Sequence, residues 1–256
     1  TQSLLYSSDL ELGEATSAIF EVFERVKPAR VVLDSLSEIR LLAQSSLRYR
    51  RQILALKHYL ARHGATVVLL DDLTAEATVK RLELVKAALP RARSVALLVN
   101  PQFPGTPAVV ERVNAAAPAL GIAVERVDFE DRASLRARID GLARRRPDAI
   151  LVAGDSVATT WRADAIERAN AARIAIVYYW PGTAEAGALF SYQADVRDNY
   201  RRAAGYVDRI LKGAAPGDLP VYQPDRYELV VNARVARELG VDLPKSFLLR
   251  AERVIQ

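Results

Sequence analysis

The chain has 256 residues, half of them hydrophobic and 26% charged, which is enough for one large α/β domain or two lobes and excludes global disorder. It contains no cysteine, which excludes disulfides, thiolate metal sites and cysteine nucleophiles. Its net charge of +5 favours an anionic partner. However, the densest basic cluster, Arg144 to Arg146, precedes Pro147 at a predicted helix end, where cations stabilise the helix dipole. We therefore predict no nucleic-acid partner.

The sequence shows neither a membrane-spanning stretch nor an export signal. No apolar stretch reaches the roughly 20 residues that span a bilayer. The first residues lack the basic region and apolar run of a signal peptide. The sequence therefore predicts no membrane span and leaves the cellular compartment open.

Apolar, β-rich runs alternate with amphipathic helical stretches along nearly the whole chain. In order, the predicted strands are residues 3–7, 30–34, 66–70, 94–99, 123–127, 149–152, 174–179, 188–191 and 228–231. The predicted helices between them include residues 11–27, 45–63, 75–89 and 199–212, and a further helix ends at Gly240. This alternation predicts an α/β protein with parallel sheets flanked by helices, arranged as two Rossmann-like lobes.

The first part of the chain carries one family resemblance. Residues 30–44 read RVVLDSLSEIRLLAQ, residues 47–57 read LRYRRQILALK and residues 66–72 read TVVLLDD. Together with residues 10–25, they resemble the core of KaiC-like ATPases of the RecA type. The resemblance implies that Asp34, with Asp72 at the next strand end, is a vestige of a nucleotide and magnesium site. The phosphate loop G-x-x-x-x-G-K-[ST] is missing from the sequence, so ATP hydrolysis is not predicted.

The remainder of the chain carries a second resemblance. The quoted segments are 77–86 (ATVKRLELVK), 95–101 (VALLVNP), 186–192 (AGALFSY), 200–213, 219–224 and 228–240. They are similar to the substrate-binding proteins of ABC transporters, and in particular to the family whose members bind aromatic amino acids and related small solutes. The resemblance implies a periplasmic-binding-protein-like fold, closure of two lobes on a solute, and an ABC permease as partner.

Taken together, the two resemblances predict a chimera, natural or engineered. Residues 1–74 form the KaiC-like fragment that serves as the first lobe or part of it. Residues 75–256 form the solute-binding lobe, with a return segment at about 225–256 that packs toward the first lobe. Because the truncated first sheet has lost neighbouring strands, its edge is free to pair with a second copy of the chain.

The candidate ligand-binding residues follow the predicted strands. Parallel sheets present binding groups in the loops after their strands, and these loops contain aromatic walls and short polar groups that suit a small amphipathic ligand. With the family resemblance, this predicts ligand contacts at Asn100, Asp155, Ser156, Trp180, Ser191 and Tyr192. The same Asn-Pro and Gly-Asp-Ser sequences are also ordinary turn chemistry, and that alternative stays open.

Catalytic, metal and cofactor sites are not predicted. His58 and His63 are five residues apart on one helix and point about 140° away from each other. Gly154-Asp155-Ser156 lacks the G-x-S-x-G elbow. Asp34, Asp71 and Asp72 suit a hard cation by residue type, but a solvated loop explains them as well. We predict a non-catalytic protein that binds a small amino-acid-like solute between its lobes. The alternatives are a recombined fold without a ligand and a residual magnesium–nucleotide module.

Overall fold

The computed structural model describes residues 12–34, 39, 46–70, 74–103, 105–220 and 224–256. The predicted strand at residues 3–7 and the residues Asp71 and Asp72 lie outside these ranges. The elements up to residue 128 are α1 (Leu12–Val26), β1 (Arg30–Asp34), α2 (Ser46–Arg62), β2 (Thr66–Leu70), α3 (Thr74–Ala88), β3 (Ser94–Val99), α4 (Thr106–Ala116), a 3-10 turn (Ala117–Leu120) and β4 (Ala123–Asp128).

The remaining elements continue the alternation of helix and strand. They are α5 (Arg132–Arg145), β5 (Ala149–Val152), α6 (Ser156–Thr160), α7 (Arg162–Ala171), β6 (Ala175–Tyr178), β7 (Phe190–Ala194), α8 (Val196–Leu211), a 3-10 turn (Pro216–Asp218), β8 (Tyr227–Asn232), α9 (Ala233–Leu239), α10 (Lys245–Leu248) and β9 (Arg253–Ile255). The predicted α/β class is confirmed. The strands at 30–34, 66–70, 94–99 and 149–152 have their predicted bounds, and the other described elements differ by a few residues at their ends.

The chain divides into two compact units. One comprises residues 1–73 and 196–224, and the other comprises residues 74–195 and 225–256. The sequence analysis placed a boundary at residue 74 but assigned residues 196–224 to the second lobe, whereas α8 and the turn after it belong to the first unit. Residues 225–256 belong to the second unit, and the expectation that they pack toward the first lobe stays a prediction.

The first unit contains a pair of parallel strands packed against helices. β1 and β2 pair in parallel from Arg30–Thr66 to Asp34–Leu70. Val31 and Leu33 pack on a cluster that contains Phe23, Leu56 and Leu60. Successive strand residues point to opposite faces, and Val32 is accordingly 63% exposed. The face of β1 that carries Val32 is therefore exposed, and the opposite face is packed.

The second unit is built on a sheet with the strand order β4-β3-β5-β6-β7-β8-β9. Alternate residues of β3 serve two cores, because the strand is covered on both faces. Val95, Leu97 and Val99 belong to the cluster on the side of α3 and α4, and Ala96 and Leu98 belong to the cluster on the side of α5 and α7.

The C-terminal segment completes this sheet. β8 pairs with β7 antiparallel, and β9 then pairs with β8 in parallel. The apolar residues Val230 and Val231 are buried in β8, and Phe247 of α10 packs on Phe190 of β7 with ring centroids 5.5 Å apart. The apolar side chains of residues 225–256 are thus satisfied within the second unit, which explains why this segment is part of its sheet.

A buried acid joins two helices of the second unit. Asp164 of α7 accepts hydrogen bonds from Arg132 Nε at 2.6 Å and from Arg136 Nε at 3.0 Å, both on α5. The Arg132 and Arg136 guanidinium groups lower the pKa of Asp164 from its usual 3.8 to about 2. The pairing stabilises the folded state only while the carboxyl group is ionised.

We expect Asp164→Asn to lower the melting temperature by a few degrees at pH 7. Because the folded-state pKa is depressed, the stabilisation is complete above the usual pKa of 3.8 and is lost as the pH falls toward 2. The difference in melting temperature between the native chain and the variant should therefore shrink below pH 4, as measured by calorimetry across that range.

Asp140→Asn is the matched control, since Asp140 pairs with Arg168 on the same two helices but is more exposed. Exposed ion pairs contribute little, so this variant should melt close to the native chain. An Asp164→Asn deficit that stays constant from pH 7 to pH 2 would contradict the assignment.

Candidate functional site

In the second unit, the pairing register brings the carboxyl ends of β3, β5 and β6 level with the beginning of β7. Leu98 pairs with Val152, Leu151 with Val177, and Tyr178 with Ser191. The predicted site residues lie at this level or at most four residues beyond it, on or directly after the neighbouring strands β3, β5, β6 and β7: Asn100, Asp155, Ser156, Trp180, Ser191 and Tyr192. The backbones of these residues therefore share the carboxyl edge of the sheet, where such sheets bind ligands.

Asn100 organises the turn after β3. Its side-chain Oδ1 accepts a hydrogen bond from the backbone N–H of Gln102 at 2.9 Å, and its carbonyl oxygen accepts one from the Thr106 hydroxyl. This is the Asx-turn chemistry that the sequence analysis left as an alternative. The remaining amide group lies near Asp155 and acts on its carboxylate.

Asp155 is the N-cap of α6. Its Oδ1 accepts hydrogen bonds from the backbone N–H groups of Val157 and Ala158, the latter at 3.2 Å. Burial raises the pKa of Asp155 above its usual value, although these two N–H groups and the Asn100 amide act in the opposite direction. Ser156 follows as the first residue of α6.

Tyr179 connects Asp155 to the next strand. Its hydroxyl accepts a hydrogen bond from the Asp155 backbone N–H at 3.0 Å and donates to the Asp155 carbonyl oxygen, and it also contacts the Thr159 hydroxyl. Burial raises the pKa of Tyr179, so this hydroxyl stays protonated at neutral pH. Trp180, which is 43% exposed, packs edge-on against the Tyr179 ring at 6.5 Å.

Arg81 of α3 is a site residue that the sequence analysis missed. It is 1% exposed, and its guanidinium lies over the Tyr179 ring at 5.4 Å. It donates to the Thr78 hydroxyl at 2.6 Å and, more weakly, to the Tyr192 carbonyl oxygen at 3.4 Å. A signal was present in the sequence, because Thr78, Arg81, Leu82 and Val85 follow the spacing of one buried helix face.

The two candidates on β7 point to different faces of the sheet. Tyr192 stacks on Tyr227 of β8 with ring centroids 5.3 Å apart and an angle of 10° between the rings, and burial raises its pKa. Ser191 is buried in the strand, and its side chain alternates to the other face from Tyr192. Ser191 is therefore not brought into the group formed by Asn100, Asp155, Tyr179, Arg81 and Tyr192.

The two candidates for a vestigial nucleotide site belong to the first part of the chain. Asp34 ends β1 in the first unit, and Asp72 lies outside the described residues. Across the described ranges, no three histidine or acidic side chains come close enough together to hold a metal ion. The helices in the same ranges are too short or too polar to cross a bilayer.

The arrangement in the second unit is suited to binding and not to bond cleavage. It combines a buried carboxylate, a buried guanidinium, an amide and aromatic rings at one sheet edge, which is the chemistry of a site for a small polar or amphipathic molecule. Asp155 serves as the N-cap of α6, where its carboxylate accepts hydrogen bonds from two backbone N–H groups.

Comparison with known proteins adds a family relation. Residues 60–255 match the family model described as ABC transporter substrate binding protein. The match begins within the segment that resembles KaiC-like ATPases. A comparison with curated proteins returns no match.

Several solved structures share the fold. One is an ABC domain from Streptococcus pneumoniae in complex with L-Trp, which is 24% identical to this chain with a TM-score of 0.61. The alignment covers 75% of this chain and 65% of the Streptococcus pneumoniae chain. A conserved domain protein from Vibrio cholerae is 20% identical with a TM-score of 0.65, covering 97% of this chain and 84% of its own. A ligand-free, open substrate-binding protein with adhesive properties from Clostridium difficile is 17% identical with a TM-score of 0.60, covering 94% and 83% respectively.

Proposed function

The chain belongs to the ABC transporter substrate-binding protein family, and from this premise we propose that it binds a small amino-acid-like solute at the carboxyl edge of the sheet in its second unit. The family binds substrates for transport and does not transform them, so the prediction that the chain is not an enzyme is confirmed at the level of the family. Membership also implies an ABC permease as the partner that receives the solute.

The observation that carries the proposal is a continuous group of polar and aromatic side chains at that edge. Asp155 is bonded to Tyr179 through its backbone, Arg81 covers the Tyr179 ring, and Arg81 reaches the Tyr192 carbonyl. A carboxylate and a guanidinium in one group match the two opposite charges of a free amino acid. Trp180 and Tyr192 supply the aromatic surface for an apolar side chain.

Aromatic amino acids are the first solutes to test. The sequence resembles the family whose members bind them, and the Streptococcus pneumoniae structure was solved with L-Trp. Isothermal titration calorimetry with L-tryptophan, L-tyrosine and L-phenylalanine measures the affinity directly. Heat of binding with one of them supports the proposal, and no heat with any of them contradicts it.

We expect Trp180→Ala to weaken the binding of an aromatic amino acid by about 2- to 10-fold, because aromatic pairs contribute about 0.5–1.5 kcal/mol beyond the burial of their area. Trp180 is partly exposed, so the fold should survive the change. Trp180→Phe is the matched control, since it keeps a ring at this position and should retain most of the affinity. Equal affinities of the alanine variant and the native chain would remove Trp180 from the site.

Two alternatives predict different outcomes of the same titrations. A residual nucleotide module built on Asp34 and Asp72 predicts magnesium-dependent binding of ATP and stabilisation against heat. A recombined fold without a ligand predicts no heat with either class of compound. The family match from residue 60 favours solute binding over both. A chimera with KaiC-like residues 1–73, and pairing of two copies through a sheet edge, remain predictions from the sequence.

A further inference from the structure

Asp155 carries a buried carboxylate whose hydrogen bonding is incomplete. The residue is 7% exposed. Its Oδ1 accepts hydrogen bonds from the N–H groups of Val157 and Ala158, whereas its Oδ2 is shielded from solvent and accepts none. A carboxylate oxygen without a partner is costly in a protein interior, because it loses its hydration and gains nothing in return.

The donors that surround this carboxylate are occupied by other acceptors. The hydroxyls of Tyr179 and Thr159 donate to the backbone carbonyl of Asp155 and not to its side chain. The Asn100 side chain is held by Gln102 through its Oδ1, and its amide acts on the Asp155 carboxylate without completing a hydrogen bond to Oδ2. Oδ2 is therefore available to a donor from a bound molecule.

Resting on the proposed function, we propose that Oδ2 of Asp155 accepts a hydrogen bond from a protonated amino group of the solute, so that the site selects amines. A buried carboxylate is best balanced by a cationic donor, because a charge-assisted hydrogen bond is about twice as strong as a neutral one. A solute of the same shape without the amine would leave the oxygen unpaired and would be rejected for that reason.

The electrostatics of the residue agree with this assignment. Burial raises the pKa of Asp155 despite two backbone donors and the neighbouring Asn100 amide. The ionised form is therefore under-compensated in the free protein, and an ammonium group placed beside Oδ2 supplies the compensation.

The test is calorimetry with three probes: L-tryptophan, tryptamine, which keeps the amine without the carboxylate, and 3-(indol-3-yl)propionate, which keeps the carboxylate without the amine. We expect the native chain to bind L-tryptophan at least about 10-fold more tightly than the propionate, the lower end of what a hydrogen bond to a charged group contributes. Asp155→Asn, which retains a good N-cap residue, should lose about 10-fold or more for both amines and little for the propionate.

Asp148→Asn is the matched control. Asp148 precedes the same strand, β5, at its opposite end and also accepts backbone hydrogen bonds, from the N–H groups of Arg93 and Ser94 at 2.8 and 2.9 Å. The Asp148→Asn variant should bind all three probes with the affinities of the native chain. If Asp155→Asn does not fold, Asp155→Ser takes its place. The preference for L-tryptophan over the propionate is measured on the native chain and does not depend on either variant.

The outcomes separate this inference from the function on which it rests. If the native chain binds L-tryptophan and the propionate equally, or if Asp155→Asn weakens both alike, solute binding stands and the role of Asp155 in amine recognition is overturned. If the native chain binds none of the three probes, the proposed binding of aromatic amino acids fails, and the inference fails with it.

Discussion

Phe190→Ala is expected to lower the free energy of unfolding of the second unit by about 3–5 kcal/mol, the range for truncating a fully buried aromatic side chain. Phe190 is fully buried in β7, and its ring packs on Phe247 of α10 at 5.5 Å. The substitution removes that contact and leaves a cavity at the strand where the sheet changes from parallel to antiparallel pairing.

Urea unfolding followed by tryptophan fluorescence measures this loss. The two tryptophans of the chain, Trp161 and Trp180, both belong to the second unit, so their emission reports on that unit. Phe190→Leu should lose much less, because leucine fills most of the volume.

Leu249→Ala is the exposed control for the same measurement. Leu249 is 86% exposed, so its truncation should change the stability by no more than about 0.5 kcal/mol. If Phe190→Ala were as stable as Leu249→Ala, the packing of α10 on β7 would have to be revised.

Asn232→Ala is expected to lower the free energy of unfolding by about 1–3 kcal/mol, combining the loss of a helix cap with the loss of a buried hydrogen bond. Asn232 is fully buried at the end of β8. Its Oδ1 accepts from the Val235 N–H at 3.0 Å, and its Nδ2 donates to the Ala184 carbonyl at 2.7 Å. Alanine leaves the Val235 N–H without its capping partner, whereas the Ala184 carbonyl loses the Asn232 amide but keeps the Gly187 N–H at 3.1 Å.

Two further variants separate the contributions of Asn232. Asn232→Ser keeps an oxygen for the cap but cannot replace the amide donor to Ala184, so it should lose roughly half as much in the same urea titration. Asn114→Ala, at an exposed position of α4, should be neutral or slightly stabilising, because alanine has the higher helix propensity. A stability of Asn232→Ala within about 0.5 kcal/mol of the native chain would contradict the assignment.

The local sequence pattern was sufficient to predict most of the secondary structure of the second unit. The run from Ser94 to Val99 is apolar and rich in β-formers, and it ends at Asn100-Pro101, so its bounds could be read directly. The direction of β8 was not readable in the same way, because a strand of the same composition serves in parallel and antiparallel pairs. Its antiparallel pairing with β7 follows from partners that are distant along the chain.

The candidate site was predicted only in part for a related reason. Strand ends identified Asn100, Asp155, Trp180 and Tyr192, since ligand-binding loops follow parallel strands. Arg81 was missed because arginine is rarely buried, and its carbonyl acceptor on Tyr192 lies 111 residues away. Ser191 was included because strand ends were considered without regard to the face on which a side chain lies.

The sequence by itself therefore determined the α/β class, the order of strands and helices, the relation to a solute-binding family and the edge at which a ligand would bind. These depend on periodicity, turn residues and motifs within short segments. Only the tertiary structure decided which strands are neighbours, that residues 225–256 complete the second unit, and that Asp155 retains an unpartnered oxygen. Those properties depend on hydrogen bonds and packing between residues far apart in the chain, whose pairing no local pattern specifies.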